Sequence, residues 1–159
     1  MTDILKLLEA DSRYTPAQLA ALTGKDEAEV KTAIAEFEKE RIINGYTALI
    51  DWDRTDVDSV TAFIEVKIVP QRDDGYERIA QRIYQYDEVE SLYLMSGAFD
   101  FAVIVTGKTL KEVAQFVSLK LATIDGVTST ATHFIMKRYK DKHRAFVSKE
   151  EQEERMLFV

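Results

Sequence analysis

Cysteine is absent from all 159 residues, which excludes a disulfide scaffold, a zinc–thiolate site, an iron–sulfur cluster and a cysteine nucleophile. A basic excess is missing as well. Twenty-one Lys and Arg stand against 28 Asp and Glu, a net charge of −7, the wrong sign for coating nucleic acid non-specifically or lying on anionic lipid. No apolar run approaches the ~20 residues that a membrane-spanning helix needs, so no membrane association is expected. The opening Met-Thr-Asp-Ile-Leu-Lys has no basic region followed by an apolar stretch, so no signal peptide is expected and the expected location is cytoplasmic. Histidine is scarce. His133 and His143 lack any spacing that suits a metal; no metal and no cofactor are expected, and His133 reads as an ordinary surface or interface residue. There is no GxGxxG, P-loop or GxSxG pattern, and Asp100 and Glu90 lack a partner that would mark an acid–base pair. No enzymatic activity is expected.

Hydrophobic residues, at 46%, suffice for packed cores, and the length fits one large domain or two small ones. No internal repeat or low-complexity tract is seen. Residues 1–45 read as helices and residues 61–139 as mixed strands and helices. Between them Asp51, Asp53, Asp56 and Asp58 put four acids within eight residues, a solvated linker. The expected division is a first domain over 1–50, a linker over 51–60, a second domain over 61–140, and a tail over 141–159.

In the first part Ile4, Leu5, Leu7 and Leu8 mark a one-faced helix. Thr15-Pro16-Ala17-Gln18 is a capping box with proline at the first helical position. Its helix carries Leu19 and Leu22 and stops near Gly24. Asp26 with Glu29 predicts a second capping box, and Val30, Ala33, Ile34 and Phe37 form the buried stripe of the next helix. Two short helices about a glycine turn predict a helix-turn-helix, and Ile42 to Thr47 predicts a hairpin turn as its wing or exit. The outward face of residues 26–40 carries Lys25, Ala28, Thr32, Ala35 and Lys39, with Glu36 beside it. Lys31 and Arg41 complete the candidate DNA-contacting cations, and Thr15 joins the set from the preceding helix. That face is small and neutral: residues 1–45 hold six basic and nine acidic residues.

In the second part Ala62, Ile64, Val66 and Ile68 alternate as in a half-buried strand. Tyr76, Ile79, Ala80, Ile83 and Tyr84 share a helical face. Val89–Ser96 and Phe101–Thr106 read as a hairpin across Gly97-Ala98-Phe99-Asp100. Leu110, Val113, Ala114, Val117, Leu121 and Ile124 mark a longer helix that ends at Gly126, and Thr128–Tyr139 reads as the last strand. The order β-α-β-β-α-β is that of a ferredoxin-like α+β sandwich with both helices on one face. One sheet face is left bare, near Phe63, Tyr93 and Phe134, which predicts self-association. Lys137, Arg138, Lys140, Lys142 and Arg144 form a basic run that reads as a solvated strand end able to supplement DNA contacts. Ser148-Lys149-Glu150-Glu151 predicts a short tail helix, and Met156-Leu157-Phe158-Val159 is expected to dock on a neighbour.

Together these residues resemble the Lrp/AsnC family of feast/famine transcriptional regulators. The most specific pieces are Ile42-Ile43-Asn44-Gly45-Tyr46-Thr47-Ala48-Leu49 and Ser96-Gly97-Ala98-Phe99-Asp100-Phe101. The second is similar to the family's serine-glycine-acid-aromatic-aspartate-aromatic loop, with Ala98 where an acid is usual. The resemblance implies a winged helix-turn-helix joined to a ferredoxin-like module called RAM, for regulation of amino acid metabolism. It also implies dimers that assemble into tetramers or octamers, with double-stranded DNA and an amino acid or related metabolite as partners. The candidate effector residues are then Ser96, Gly97, Ala98, Phe99 and Asp100, with Asp100 pairing an α-ammonium group and Phe99 walling a side-chain pocket. The family's reading helix is commonly rich in arginine, whereas Lys31 is the only cation from Lys31 to Glu36. The alternative function is a metabolite-binding regulatory module with weak or lost DNA binding that acts through protein partners.

Overall fold

The structure is a computed structural model that describes residues 2–69 and 75–146. It divides into two compact units, residues 1–50 and 51–159. The expected tail helix at Ser148 and the docking of Met156–Val159 lie outside the described residues.

The first unit contains α1 (Thr2–Ala10), α2 (Pro16–Thr23) and α3 (Glu27–Lys39). The α2 capping box closes in both directions: the Gln18 amide donates to Thr15 Oγ1 at 3.3 Å, and the Thr15 amide donates to Gln18 Oε1 at 2.9 Å. Gly24 then ends the helix at φ +67°, a left-handed conformation that costs glycine little. At α3 the expected box does not form, although Asp26 still caps the helix. Asp26 accepts from the Ala28 amide at 2.8 Å, but the Glu29 carboxylate is held by Lys25 Nζ at 3.1 Å and does not reach back. Ile4, Leu8, Leu19, Ala20, Val30, Ala33 and Phe37 form the core. Leu22 is 58% exposed, because α2 turns only its Leu19 side inward.

The hairpin expected from Ile42 to Thr47 does not form. The amides of Ile42 and Ile43 both donate to the Phe37 carbonyl, at 2.8 and 3.1 Å, with Arg41 in the left-handed region at φ +56°. Those amides close the helix end, so they are not available to a ladder, and residues 42–50 pair with no strand among the described residues.

The second unit opens with a single 3-10 turn at Trp52–Arg54. β1 (Val60–Ile68), α4 (Gly75–Tyr84), β2 (Val89–Leu94), β3 (Phe101–Gly107), α5 (Leu110–Phe116) and β4 (Val127–Phe134) follow. The sheet order is β2-β3-β1-β4 with antiparallel neighbours, the ferredoxin-like arrangement. Ala62, Ile64, Val66, Phe101, Val103 and Val105 pack against Ile79 and Ile83 of α4 and Val113 and Phe116 of α5, so one sheet face is covered by both helices.

After Phe116 the helix widens into a π turn over Val117–Leu121. A π turn inserts a residue into the helical count, yet Val117, Leu121 and Ile124 are buried as expected, and the two expected positions that are exposed both precede the turn. Val113, Phe116, Val117 and Leu121 are buried, whereas Leu110 and Ala114 are exposed. Phe116 meets the Tyr86 ring edge-on at 5.5 Å. Beside them the Lys120 ammonium is hydrogen-bonded to Glu88 and holds that carboxyl below the usual carboxylate range. Gly126, at φ +97°, lets β4 start under α4, where a Cβ would stand 2.8 Å from Ile79 Cδ1.

The last strand stops at Phe134 and does not run to Tyr139, since its partner β1 begins at Val60 and the Ile135 amide caps the pairing on the Thr61 carbonyl at 2.9 Å. The basic run beyond it folds into its own hairpin, β5 (Lys140–Asp141) and β6 (Arg144–Ala145). Register also settles the bare face. Phe63 lies opposite Ile104 and His133, and Tyr93 opposite Ala102, so these residues share the uncovered side. Phe134 lies opposite the buried Ala62 and packs on the helix-covered core, not on the bare face.

Candidate functional site

The outward face of α3 is built as the buried stripe dictates. With Val30, Ala33 and Phe37 buried, Ala28, Thr32, Ala35 and Lys39 are exposed, as is Arg41 beyond the helix. Thr32 Oγ1 donates to the Ala28 carbonyl at 2.9 Å, leaving its methyl and two alanines as the centre of the face, side chains suited to contact with thymine methyl groups. The cations are less available than their count implies. Lys31 Nζ pairs with Glu27 at 2.7 Å and Lys25 Nζ with Glu29 at 3.1 Å, both i,i+4 along the chain. Thr15 is exposed, but its hydroxyl oxygen is committed to the cap of α2. One contact escaped the sequence: the Tyr46 hydroxyl donates to Glu38 Oε1 at 2.9 Å, fastening the segment after the helix to α3. An eight-residue separation across a helix end carries no periodic signal.

The second site is the β2–β3 connection. Ser96, Gly97 and Ala98 are exposed, and Phe99 and Asp100 are half-buried. Asp100 is the hub. Its amide donates to the Val66 carbonyl at 2.9 Å and its carbonyl accepts from the Met95 amide at 2.8 Å. Its Oδ2 accepts from the Ile68 amide at 2.8 Å, and its Oδ1 accepts from the Tyr76 hydroxyl at 3.4 Å. The carboxylate thus ties the connection to the end of β1 and the start of α4, so the loop's backbone groups are not all open to a ligand as the spacing alone implied. Phe99 turns the other way, its ring edge-on to Phe63 at 5.9 Å, and so belongs to the bare sheet face.

On the helix side, next to Asp100, lies a cavity of about 320 Å³ lined by Tyr76, Glu77, Ala80, Tyr84, Leu92, Leu94 and Phe101. Its walls are apolar, with two phenols and one carboxylate. Sequence reasoning placed Tyr76, Ala80 and Tyr84 on the packing face of α4 without seeing that two large phenols at the edge strand leave a gap. Among the described residues no group of His, Asp and Glu is placed to hold a metal ion, and no helix is long and apolar enough to cross a membrane.

The structural weight of Asp100 is measurable by itself. Asp100→Ala removes a charged acceptor from the half-buried Ile68 amide, a loss of roughly 1–3 kcal/mol, whereas Asp100→Asn keeps an acceptor oxygen and loses less. Denaturant titration should rank wild type above Asn above Ala; equal midpoints for Ala and wild type would show that the Ile68 bond does not matter to stability.

Comparison with known proteins adds two family matches. A winged helix-turn-helix DNA-binding model matches residues 2–44, and an Lrp/AsnC ligand binding domain model matches residues 61–145. An uncharacterized HTH-type transcriptional regulator of Bacillus subtilis, YugG, is 47% identical over 146 residues, covering 91% of this chain and 88% of that protein. Among solved structures, a Neisseria meningitidis transcriptional regulator in complex with L-Met superposes with a TM-score of 0.70 at 23% identity, over 87% of this chain and 89% of that one. A feast or famine regulatory protein of M. tuberculosis complexed with L-methionine gives 0.73 at 21% identity, over 92% and 96%. At those identities the likeness is one of fold.

Proposed function

The chain belongs to the Lrp/AsnC family of DNA-binding transcriptional regulators, and from that premise we propose that residues 1–50 contact DNA through α3 while the domain over 61–140 binds an amino acid or related metabolite and assembles the oligomer. The observation that carries the reading is the pairing, in one chain, of a DNA-binding helix-turn-helix match with a ligand-binding-domain match. Two relatives of the same fold are described as complexes with methionine, which supports an amino acid as the class of effector here.

For DNA we assign Ala28, Thr32 and Ala35 to the groove floor, with Lys25, Lys31, Lys39 and Arg41 as the surrounding cations and Thr15 at the flank. For the effector we assign Ser96, Gly97, Ala98 and Asp100, extended by Tyr76 and Glu77 of the adjoining cavity, while Phe99, on the opposite face of the sheet, is left to the contact between copies. Glu77 offers a carboxylate to an α-ammonium group without disturbing the bonds that Asp100 already makes. A second copy of the chain closes the site and covers Phe63, Tyr93 and Phe99.

One observation favours the alternative of a regulatory module that has lost strong DNA binding: Lys25 and Lys31 are ion-paired with neighbouring glutamates of α3. A mobility-shift assay on the gene's own upstream region at low salt separates the two. The regulator reading expects a shift altered by an amino acid. Thr32→Glu, which sets a new negative charge against the groove, should weaken it at least about tenfold, the equivalent of 1.4 kcal/mol. Unchanged binding by the variant would remove α3 as the reading helix, and no shift at all would favour the alternative.

A further inference from the structure

We propose that the β5–β6 hairpin is a second DNA-contacting element, one that takes duplex phosphates and supplies the charge α3 lacks; the proposal rests on the DNA-binding reading above. Affinity for duplex DNA comes largely from neutralised phosphates and released counterions. Residues 1–45 carry six basic and nine acidic residues, and two of the lysines near the reading face are ion-paired to Glu27 and Glu29. Such a helix reads shape and methyl groups but neutralises little. Residues 137–145 have the opposite balance, five basic residues and one acid. That acid, Asp141, flanks the two-residue tip, and its carboxylate stands 3.6 Å from Arg138.

The hairpin also presents its charge in a fixed form. Asp141 pairs with Arg144, and the two residues between them, Lys142 and His143, have φ of +42° and +64°. Two successive left-handed residues make the mirror-image turn that matches the twist of a two-stranded ribbon. Residues other than glycine or asparagine adopt it only against their own preference. Here the tip residues Lys142 and His143 are exposed, as is Lys140 on the strand. The base is stapled by the Phe146 amide on the Tyr139 carbonyl at 2.9 Å, with the Arg138 guanidinium 5.1 Å from the Phe146 ring and the Lys137 ammonium 5.4 Å from that of Tyr139. A narrow ribbon of held cations has the size and chemistry to run along a phosphate backbone, where contacts give position and affinity but no sequence information. The division of labour is then α3 for sequence and β5–β6 for charge.

The test titrates the full-length chain against two duplexes, one from its own upstream region and one of scrambled sequence, over a range of salt concentrations. In Lys140→Gln/Lys142→Gln the slope of log K against log salt should flatten by about 0.9 for each phosphate left without its lysine, and at a tenth molar salt affinity should fall roughly eightfold per such phosphate, equally on both duplexes. Lys142→Asn/His143→Gly installs the residue pair that this turn prefers while removing the tip lysine; it should lose about half as much, which shows that charge and not hairpin folding is at issue. Unchanged slopes in both variants, on a duplex that wild type binds, overturn the hairpin assignment and leave the regulator reading standing. Failure of wild type to bind either duplex at low salt overturns both. Unchanged slopes together with lost binding to polyglutamate overturn it in favour of an acidic protein partner.

Discussion

Leu19→Ala should abolish DNA binding while leaving the second unit folded. Leu19 is fully buried among Ile4, Leu8, Val30, Ala33 and Phe37, and truncating such a leucine costs about 2–5 kcal/mol through lost burial and the cavity left behind. A domain of fifty residues has on the order of 3–8 kcal/mol to lose. The variant therefore leaves the helix-turn-helix at or near its unfolding threshold, and α3 no longer holds Thr32 and its neighbours on one face. The two cores share no residue, so calorimetry should show the lower-stability transition vanish or move below room temperature while the other is unmoved. Leu19→Met, which nearly conserves volume, should cost less than about 1.5 kcal/mol and keep DNA binding. A Leu19→Ala protein that binds DNA like wild type would show that the first unit draws its stability from elsewhere.

If a second copy covers the bare sheet face as proposed, Phe63→Glu should leave single chains of 18.2 kDa. Phe63 is central on the bare sheet face, between Ile104 and His133 and against the Phe99 edge, and Tyr93 on the same face, beyond β3, is 53% exposed. Covering a few hundred Å² of such surface at ~25 cal/mol/Å² contributes several kcal/mol per chain before the cost of association. A carboxylate buried at the centre of that contact costs several kcal/mol, and it would stand next to Glu65, whose Oε1 lies 3.2 Å from His133 Nε2. Association should weaken by at least about a hundredfold, since each 1.4 kcal/mol is a factor of ten. Because the face is open in the single chain, thermal stability of the separated variant should shift by only a few degrees. Light scattering at micromolar concentration decides: a wild type already at the single-chain mass, or a variant still assembled, rejects this face as the contact.

The amino-acid order alone carried the two-part organisation of the chain and the β-α-β-β-α-β order. It also carried the Thr15 capping box and most core positions, because each is written in short-range periodicity or in residues three and four apart. Ala62, Ile64, Val66 and Ile68 are buried as their alternation requires. The resemblance to Lrp/AsnC regulators was legible for the same reason, through contiguous stretches such as Ile42 to Leu49. Features that depend on what lies opposite a residue were not legible. Phe116, packed edge-on against Tyr86, is buried where Leu110 and Ala114 were expected to be. The Phe37 carbonyl captured the amides that a hairpin at Ile42 needed. Sheet register sent Phe134 to the covered core and left Phe63 and Tyr93 outside. The Asp100 carboxylate, legible as a ligand candidate, is bonded to an amide on β1 thirty-two residues away. The helix-turn-helix and the family loop are local patterns that a chain announces residue by residue. Which lysines stay available to a phosphate, and which carboxylates are already engaged, follows from pairings made only when distant segments meet.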